Sequence, residues 1–127
     1  MNNNTPAFSL GARVRSVRHA VSGVAEMLRS QHNAWIHLVA TLLVVAMAFA
    51  FAVSTLEWCL LILSITAVWV SEALNTAFEF LCDVASPEFH PLVKKSKDVA
   101  AGAVLLCAIS ATFIGLILFI PYISALI

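Results

Sequence analysis

The stretch from residue 60 to 84 is apolar enough to cross a bilayer, yet Glu72, Asn75, Glu79 and Asp83 interrupt it. At about 100° per residue these four positions fall within roughly 80° of arc, so their side chains share one stripe of a helix while Val68, Val70, Leu74 and Phe78 cover its other faces. An ionised carboxylate at bilayer depth costs at least about 2.5 kcal/mol, so a stripe of them facing lipid would not persist. The stripe must therefore face a cavity, a cation or both. Apolar segments at 36–53, 56–81 and 99–120 are each near the roughly 20 residues that span a membrane. With 61% hydrophobic residues, 11% charged residues and a mean hydropathy of +0.96, the chain is too apolar for a soluble domain of 127 residues. An all-α integral membrane protein is expected.

The charges sum to zero but are unevenly placed. Arg13, Arg15, Arg18 and Arg29 precede the first span, and Lys94, Lys95 and Lys97 lie between the second and third. The turn at Ser54 and Thr55 carries no basic residue. The positive-inside rule then puts the amino terminus and the second connection in the cytoplasm. A cleaved signal peptide is not expected, because residues 1–30 are polar and lack a compact apolar core. Residues 1–7 read as a disordered start. Across 8–30, Leu10, Val14, Val17, Val21, Val24 and Leu28 recur every three or four residues between arginines, the pattern of an amphipathic helix lying on a membrane surface.

One domain over 1–127 is expected, with the surface helix at 8–30 and membrane helices at 31–53, 56–84 and 97–122. Pro87 and Pro91 should break the chain between the last two, and Ala100, Ala101, Gly102 and Ala103 permit close helix approach. Cys59, Cys82 and Cys107 have no paired spacing and read as small buried residues. Trp35, Trp58 and Tyr122 fall near span ends, where aromatic belts form. Three spans hardly enclose a polar cavity alone, so a homo-oligomer with shared sites is expected, with no nucleic-acid partner.

Glu, Asp and Asn are hard oxygen donors that suit magnesium, and magnesium is usually shared with nucleotide phosphates. Lys97, near the cytoplasmic end of the stripe, could hold a phosphate. Glu72 lies about 10 Å deeper along the helix than Glu79, which suggests that the deeper carboxylate meets a lipid hydroxyl and the shallower one a metal-bound nucleotide. No P-loop and no G-x-G-x-x-G pattern is present, so such a site differs from those of soluble kinases. From the residues alone a phosphotransferase, an ion or proton path and a structural helix-pairing role all remain open.

The run Glu72-Ala-Leu-Asn75-Thr76-Ala-Phe-Glu79, followed by Asp83, Glu88-Phe89-His90 and Lys97-Asp98-Val-Ala-Ala-Gly102-Ala, resembles the prokaryotic diacylglycerol kinase family. His32-Asn33-Ala-Trp-Ile36-His37-Leu and Leu56-Glu57-Trp58 resemble its undecaprenol kinase branch, and the resemblance extends from about residue 13 to 121. It implies a homotrimer of three-span protomers with a surface helix, and ATP- and magnesium-dependent phosphorylation of a lipid hydroxyl, undecaprenol or diacylglycerol, at the cytoplasmic face of the bacterial inner membrane. By the same resemblance Glu72 is the general base and Glu79 a magnesium ligand. Asn75 and Asp83 support that carboxylate network, and Glu88, Phe89, His90, Lys97 and Asp98 fall where the family contacts ATP. His19 stands where an aromatic nucleotide contact is common, and Trp35 where many relatives carry a basic residue. The family's second magnesium-binding glutamate is replaced here by Gln31, whose amide oxygen can ligate magnesium without contributing charge. Weaker or altered metal affinity is expected, with a degenerate family member or a non-enzymatic oligomer with an ion pathway as the alternative.

Overall fold

The computed structural model describes residues 9–127, so the reading of residues 1–7 lies outside the described residues. Four helices follow one another: α1 (Leu10–Ser30), α2 (His32–Ala50), α3 (Thr55–Ala85) and α4 (Pro91–Ser124). The last three are each long and apolar enough to cross a membrane, and the chain is a multi-pass membrane protein. Chain reversal between consecutive spans brings the α1–α2 joint, the carboxyl end of α3 and the amino end of α4 together at one end of the bundle. At 31 residues α3 is about 46 Å long, well beyond a hydrocarbon layer of about 30 Å, so the helix outruns the layer. Glu79 and Asp83 are on its last two turns.

Local chemistry explains each boundary. α2 ends in a Schellman motif: Val53 N–H donates to the Ala48 carbonyl at 3.1 Å and Ala52 N–H to the Phe49 carbonyl at 3.2 Å. Val53 and Ala48 also meet in the same apolar cluster. The motif needs a left-handed residue, and here it is Ala52, at φ 48°. A Cβ in that region is unfavourable by about 1–2 kcal/mol, whereas glycine adopts it freely. Ala52→Gly is expected to stabilise the fold by about 1 kcal/mol, read as a rise in the thermal midpoint of the purified protein in detergent. An unchanged or lower midpoint would show that the turn relaxes around the alanine.

α3 opens with a reciprocal cap. The Ser54 hydroxyl accepts from Glu57 N–H at 3.4 Å, and the Glu57 carboxylate accepts from Ser54 N–H at 2.7 Å. The Tyr122 hydroxyl donates to that carboxylate at 2.8 Å, fastening the end of α4 to the start of α3. Around this join Leu61, Leu118, Phe119, Ala48 and Val53 form the apolar core, with the Tyr122 ring stacked on Phe51. Buried hydroxyls within α3 are satisfied by their own helix: Ser71 donates to the Val68 carbonyl and Thr76 to that of Glu72. These polar residues therefore need no partner across the bundle.

α4 begins at Pro91, ahead of the start expected at residue 97. Proline has no N–H to lose in a first helical turn, and the His90 ring caps that turn by accepting from Leu92 N–H at 3.2 Å. Pro91 therefore starts a helix, and the expected break falls just before Pro87, with Ser86 as the C-cap of α3. The small-residue expectation also changes at Gly102. Among the described residues no heavy atom of a neighbouring element lies within 4 Å of where its Cβ would stand, so close approach between these helices does not explain the glycine.

Candidate active site

Along α3 the polar stripe is graded by burial. Glu72 is 1% exposed and Asn75 7%, Glu79 is half-buried, and Asp83 is exposed. Each residue meets a different environment, although all four share a helix face.

At the deep end, neither Glu72 carboxylate oxygen has a hydrogen-bond partner among the described residues. Its nearest ionic neighbour is His37 of α2, with Nε2 at 3.7 Å from Oε2. Glu72, Asn75, His37 and Asn33 line a cavity of about 200 Å³ closed on the α4 side by Ala101 and Val104. A buried carboxylate without partners is strongly unfavourable for the fold unless something else meets it. The cavity has room for a small polar group, such as a hydroxyl. His37 also lines a second, larger apolar groove of about 460 Å³ that runs between α2, α3 and α4 past Val44, Val68 and Leu116 toward Phe119.

Two turns along α3 toward the carboxyl end, Glu79 is held by two amides. Gln31 Nε2 donates to one carboxylate oxygen at 2.7 Å and Asn75 Nδ2 to the other at 3.3 Å. The Gln31 bond has the short length of a charge-assisted contact. Gln31 stands between α1 and α2, closing the first helix as its C-cap and opening the second as its N-cap, so this bond also ties the α1–α2 joint to α3. The Asn75 carbonyl oxygen is buried and unpartnered. Among the described residues no group of three His, Cys, Asp or Glu side chains could hold a metal. The donors here are one carboxylate and two amide oxygens, one of them orphaned. That set fits magnesium, which binds through one or two carboxylates and completes its shell with phosphates and water.

Further out, the Asp83 carboxylate accepts from Lys97 Nζ at 2.9 Å, joining α3 to α4. Asp83 therefore pairs with the lysine instead of supporting the Glu79 network. Asp98 pairs with Lys94 at 2.6 Å along α4. Glu88 and Phe89 are exposed in the loop, Phe89 to 80%, and His90 caps α4. His19 is exposed on α1. The structure thus brings Gln31, Asn75 and Glu79 into direct contact and sets Lys97 on the same end of the bundle. Glu88, Phe89 and His90 remain on the adjoining loop.

The family model for prokaryotic diacylglycerol kinase matches residues 18–119, which takes in α2, α3 and nearly all of α4. The chain belongs to the prokaryotic diacylglycerol kinase family. It is 37% identical over 107 residues to an undecaprenol kinase of Bacillus subtilis, covering 84% of this chain and 87% of that one. A diacylglycerol kinase of Synechocystis is 36% identical over 107 residues, covering 84% of this chain and 61% of the relative. One from Helicobacter pylori is 39% identical over 77 residues, covering 61% and 60%. The family is one of lipid kinases, which act on a membrane lipid with a nucleotide as phosphoryl donor.

Two features of this site were not singled out from the sequence. The first is His37, noticed there only as part of a family motif. It is an ionisable side chain inside a span, which by itself marks a candidate functional residue. The second is the hydrogen bond from Trp69 Nε1 to Thr41 Oγ1 at 3.0 Å, which links α2 to α3. Nothing in either residue's local sequence signals that pairing.

Proposed function

We propose that this protein is an ATP- and magnesium-dependent lipid kinase of the bacterial inner membrane, phosphorylating the hydroxyl of undecaprenol in preference to diacylglycerol. The observation that carries the reading is the buried Glu72 carboxylate, unpartnered and lining a cavity, about 10 Å along one helix from the amide-held Glu79. The preference for undecaprenol rests on the Bacillus subtilis relative, matched over most of its length.

The arrangement supports a division of roles. The lipid hydroxyl enters the cavity, and Glu72 orients it and accepts its proton as the phosphoryl group is transferred. Glu79, Asn75 and Gln31 would hold magnesium, Gln31 after turning its amide oxygen inward. Bound there, magnesium would neutralise charge on the phosphates. Lys97 exchanges its Asp83 partner for a phosphate, Asp98 lies beside it, and Glu88, Phe89, His90 and His19 border the nucleotide from the loop and from α1. The exposed stripe of Leu10, Val14, Val17, Val21 and Val24 lets α1 lie on the cytoplasmic membrane surface, with the amino terminus inside. A homotrimer would cover the open faces of the spans.

Transfer of labelled phosphate from ATP in mixed micelles tests this directly, with undecaprenol and diacylglycerol offered separately and magnesium titrated. Transfer that prefers undecaprenol and requires Glu72 is expected. No transfer to either alcohol by a folded oligomer would leave a degenerate or non-enzymatic member of the family. Lys97→Met should raise the KM for ATP about tenfold, the worth of one charge-assisted hydrogen bond, with little change in the KM for lipid. An unchanged KM for ATP would remove Lys97 from the nucleotide site.

A further inference from the structure

We propose that His37 is the positioning residue for Glu72, and that the Thr41–Trp69 hydrogen bond sets the helix register that places it there. This rests on the reading of Glu72 as the base. Three independent observations meet at this point. Glu72 is 1% exposed and both its oxygens lack a hydrogen-bond partner. His37 Nε2 stands 3.7 Å from Oε2, just outside hydrogen-bond range, in a side chain that is 15% exposed. His37 also lines both the small polar cavity and the long apolar groove, so it stands where the two spaces adjoin.

A lone carboxylate on a helix can swing about its χ angles, and a base that swings is a poor acceptor for a hydroxyl proton. A donor on one oxygen stops the motion and leaves the other oxygen for substrate. His37 supplies such a donor from Nε2–H, and a shift of under about 1 Å brings the pair to ordinary hydrogen-bond length. Because His37 comes from α2 and Glu72 from α3, their separation depends on how the two helices are registered. One turn away on each helix, Trp69 Nε1 donates to Thr41 Oγ1 at 3.0 Å. Thr41 follows His37 by four residues and Trp69 precedes Glu72 by three, so both pairs lie on the same face of contact. The indole bond fixes the register, and the imidazole uses it. Its location at the junction also puts His37 beside any hydroxyl whose apolar chain occupies the groove.

Steady-state kinetics of His37→Leu, His37→Gln, Thr41→Val and Glu72→Gln in mixed micelles test the proposal, using undecaprenol and ATP. His37→Leu is expected to lower kcat about 10²-fold, the scale of loss for a misaligned reacting group, while both KM values stay within about threefold. His37→Gln retains an N–H donor and should recover about tenfold of that loss. Thr41→Val keeps the shape but loses the hydroxyl, and a smaller fall in kcat at constant KM is expected. Should His37→Leu fail to assemble, His37→Gln and Thr41→Val carry the test alone. A His37→Leu enzyme with full kcat, or one that loses only KM, overturns the positioning role, as does a glutamine variant no better than the leucine one. If Glu72→Gln itself keeps its turnover, the base reading falls first. An inactive Glu72→Gln beside a fully active His37→Leu removes only the positioning role of His37.

Discussion

Glu72→Gln is expected to lower kcat about 10²- to 10⁴-fold, the usual contribution of a positioned general base, while ATP binding changes by less than about threefold. The Glu72 carboxylate lines the deep cavity with both oxygens open to a hydroxyl proton, and an amide of nearly the same shape cannot accept one. The same change should stabilise the folded protein. Glu72 is almost wholly buried with neither oxygen hydrogen-bonded among the described residues, whereas glutamine removes that charge. Relieving an uncompensated buried charge is worth on the order of 1 kcal/mol or more. A raised thermal midpoint with lost turnover is the pattern expected of a functional site built at the cost of stability. Normal turnover in Glu72→Gln would remove the base assignment, and a lowered midpoint would mean that the carboxylate is satisfied in the assembled protein.

Gln31→Glu is expected to move the magnesium dependence of activity to lower concentration, by about tenfold or more. Two opposite charges about 4 Å apart at an effective dielectric of 20 attract by about 4 kcal/mol before desolvation, so even a fraction of that attraction exceeds one decade. Without metal the substitution has the opposite effect. Gln31 Nε2 now donates to Glu79 at 2.7 Å, and a second carboxylate at that position would turn the contact into repulsion. The variant should therefore melt lower than the parent in chelator and regain stability as magnesium is added, a readout independent of turnover. If magnesium leaves both the midpoint and the activity profile of Gln31→Glu where they are in the parent, Gln31 is not part of the metal site.

Both predictions concern residues that were visible in the sequence, but in different ways. Glu72, Asn75, Glu79 and Asp83 stand out because hydrocarbon does not tolerate carboxylates on a lipid-facing helix, and a period of 3.6 residues places all four on one stripe. Periodicity alone places them there. It could not separate them, because burial depends on what α2 and α4 bring against each turn. Its helix face groups Asp83 with Glu79, yet Asp83 pairs with Lys97 of α4. Gln31 drew attention as a departure from the family pattern, while its position as a clasp between the α1–α2 joint and α3 became evident only from the bond it makes.

The element boundaries divide in the same way. Ser54 followed three residues later by Glu57 is a local signature, and the cap it encodes depends on neighbouring residues only. Pro91 is ambiguous locally, because proline ends one helix as readily as it starts another. The His90 ring over Leu92 N–H decides in favour of a start. The left-handed turn at Ala52 had no glycine to announce it.

The sequence by itself determined the solvent of this protein, its three spans and the helix face that must carry chemistry. Each follows from transfer free energies and helical periodicity, which act residue by residue. The tertiary structure alone decided which groups share a space: His37 beside Glu72, Trp69 bound to Thr41, and Gln31 on Glu79. These pairs lie 35, 28 and 48 residues apart along the chain, and no local energy term fixes the register of one helix against another. Packing and cross-helix bonds such as Trp69 to Thr41 set that register, and the register is what makes a polar stripe into a site.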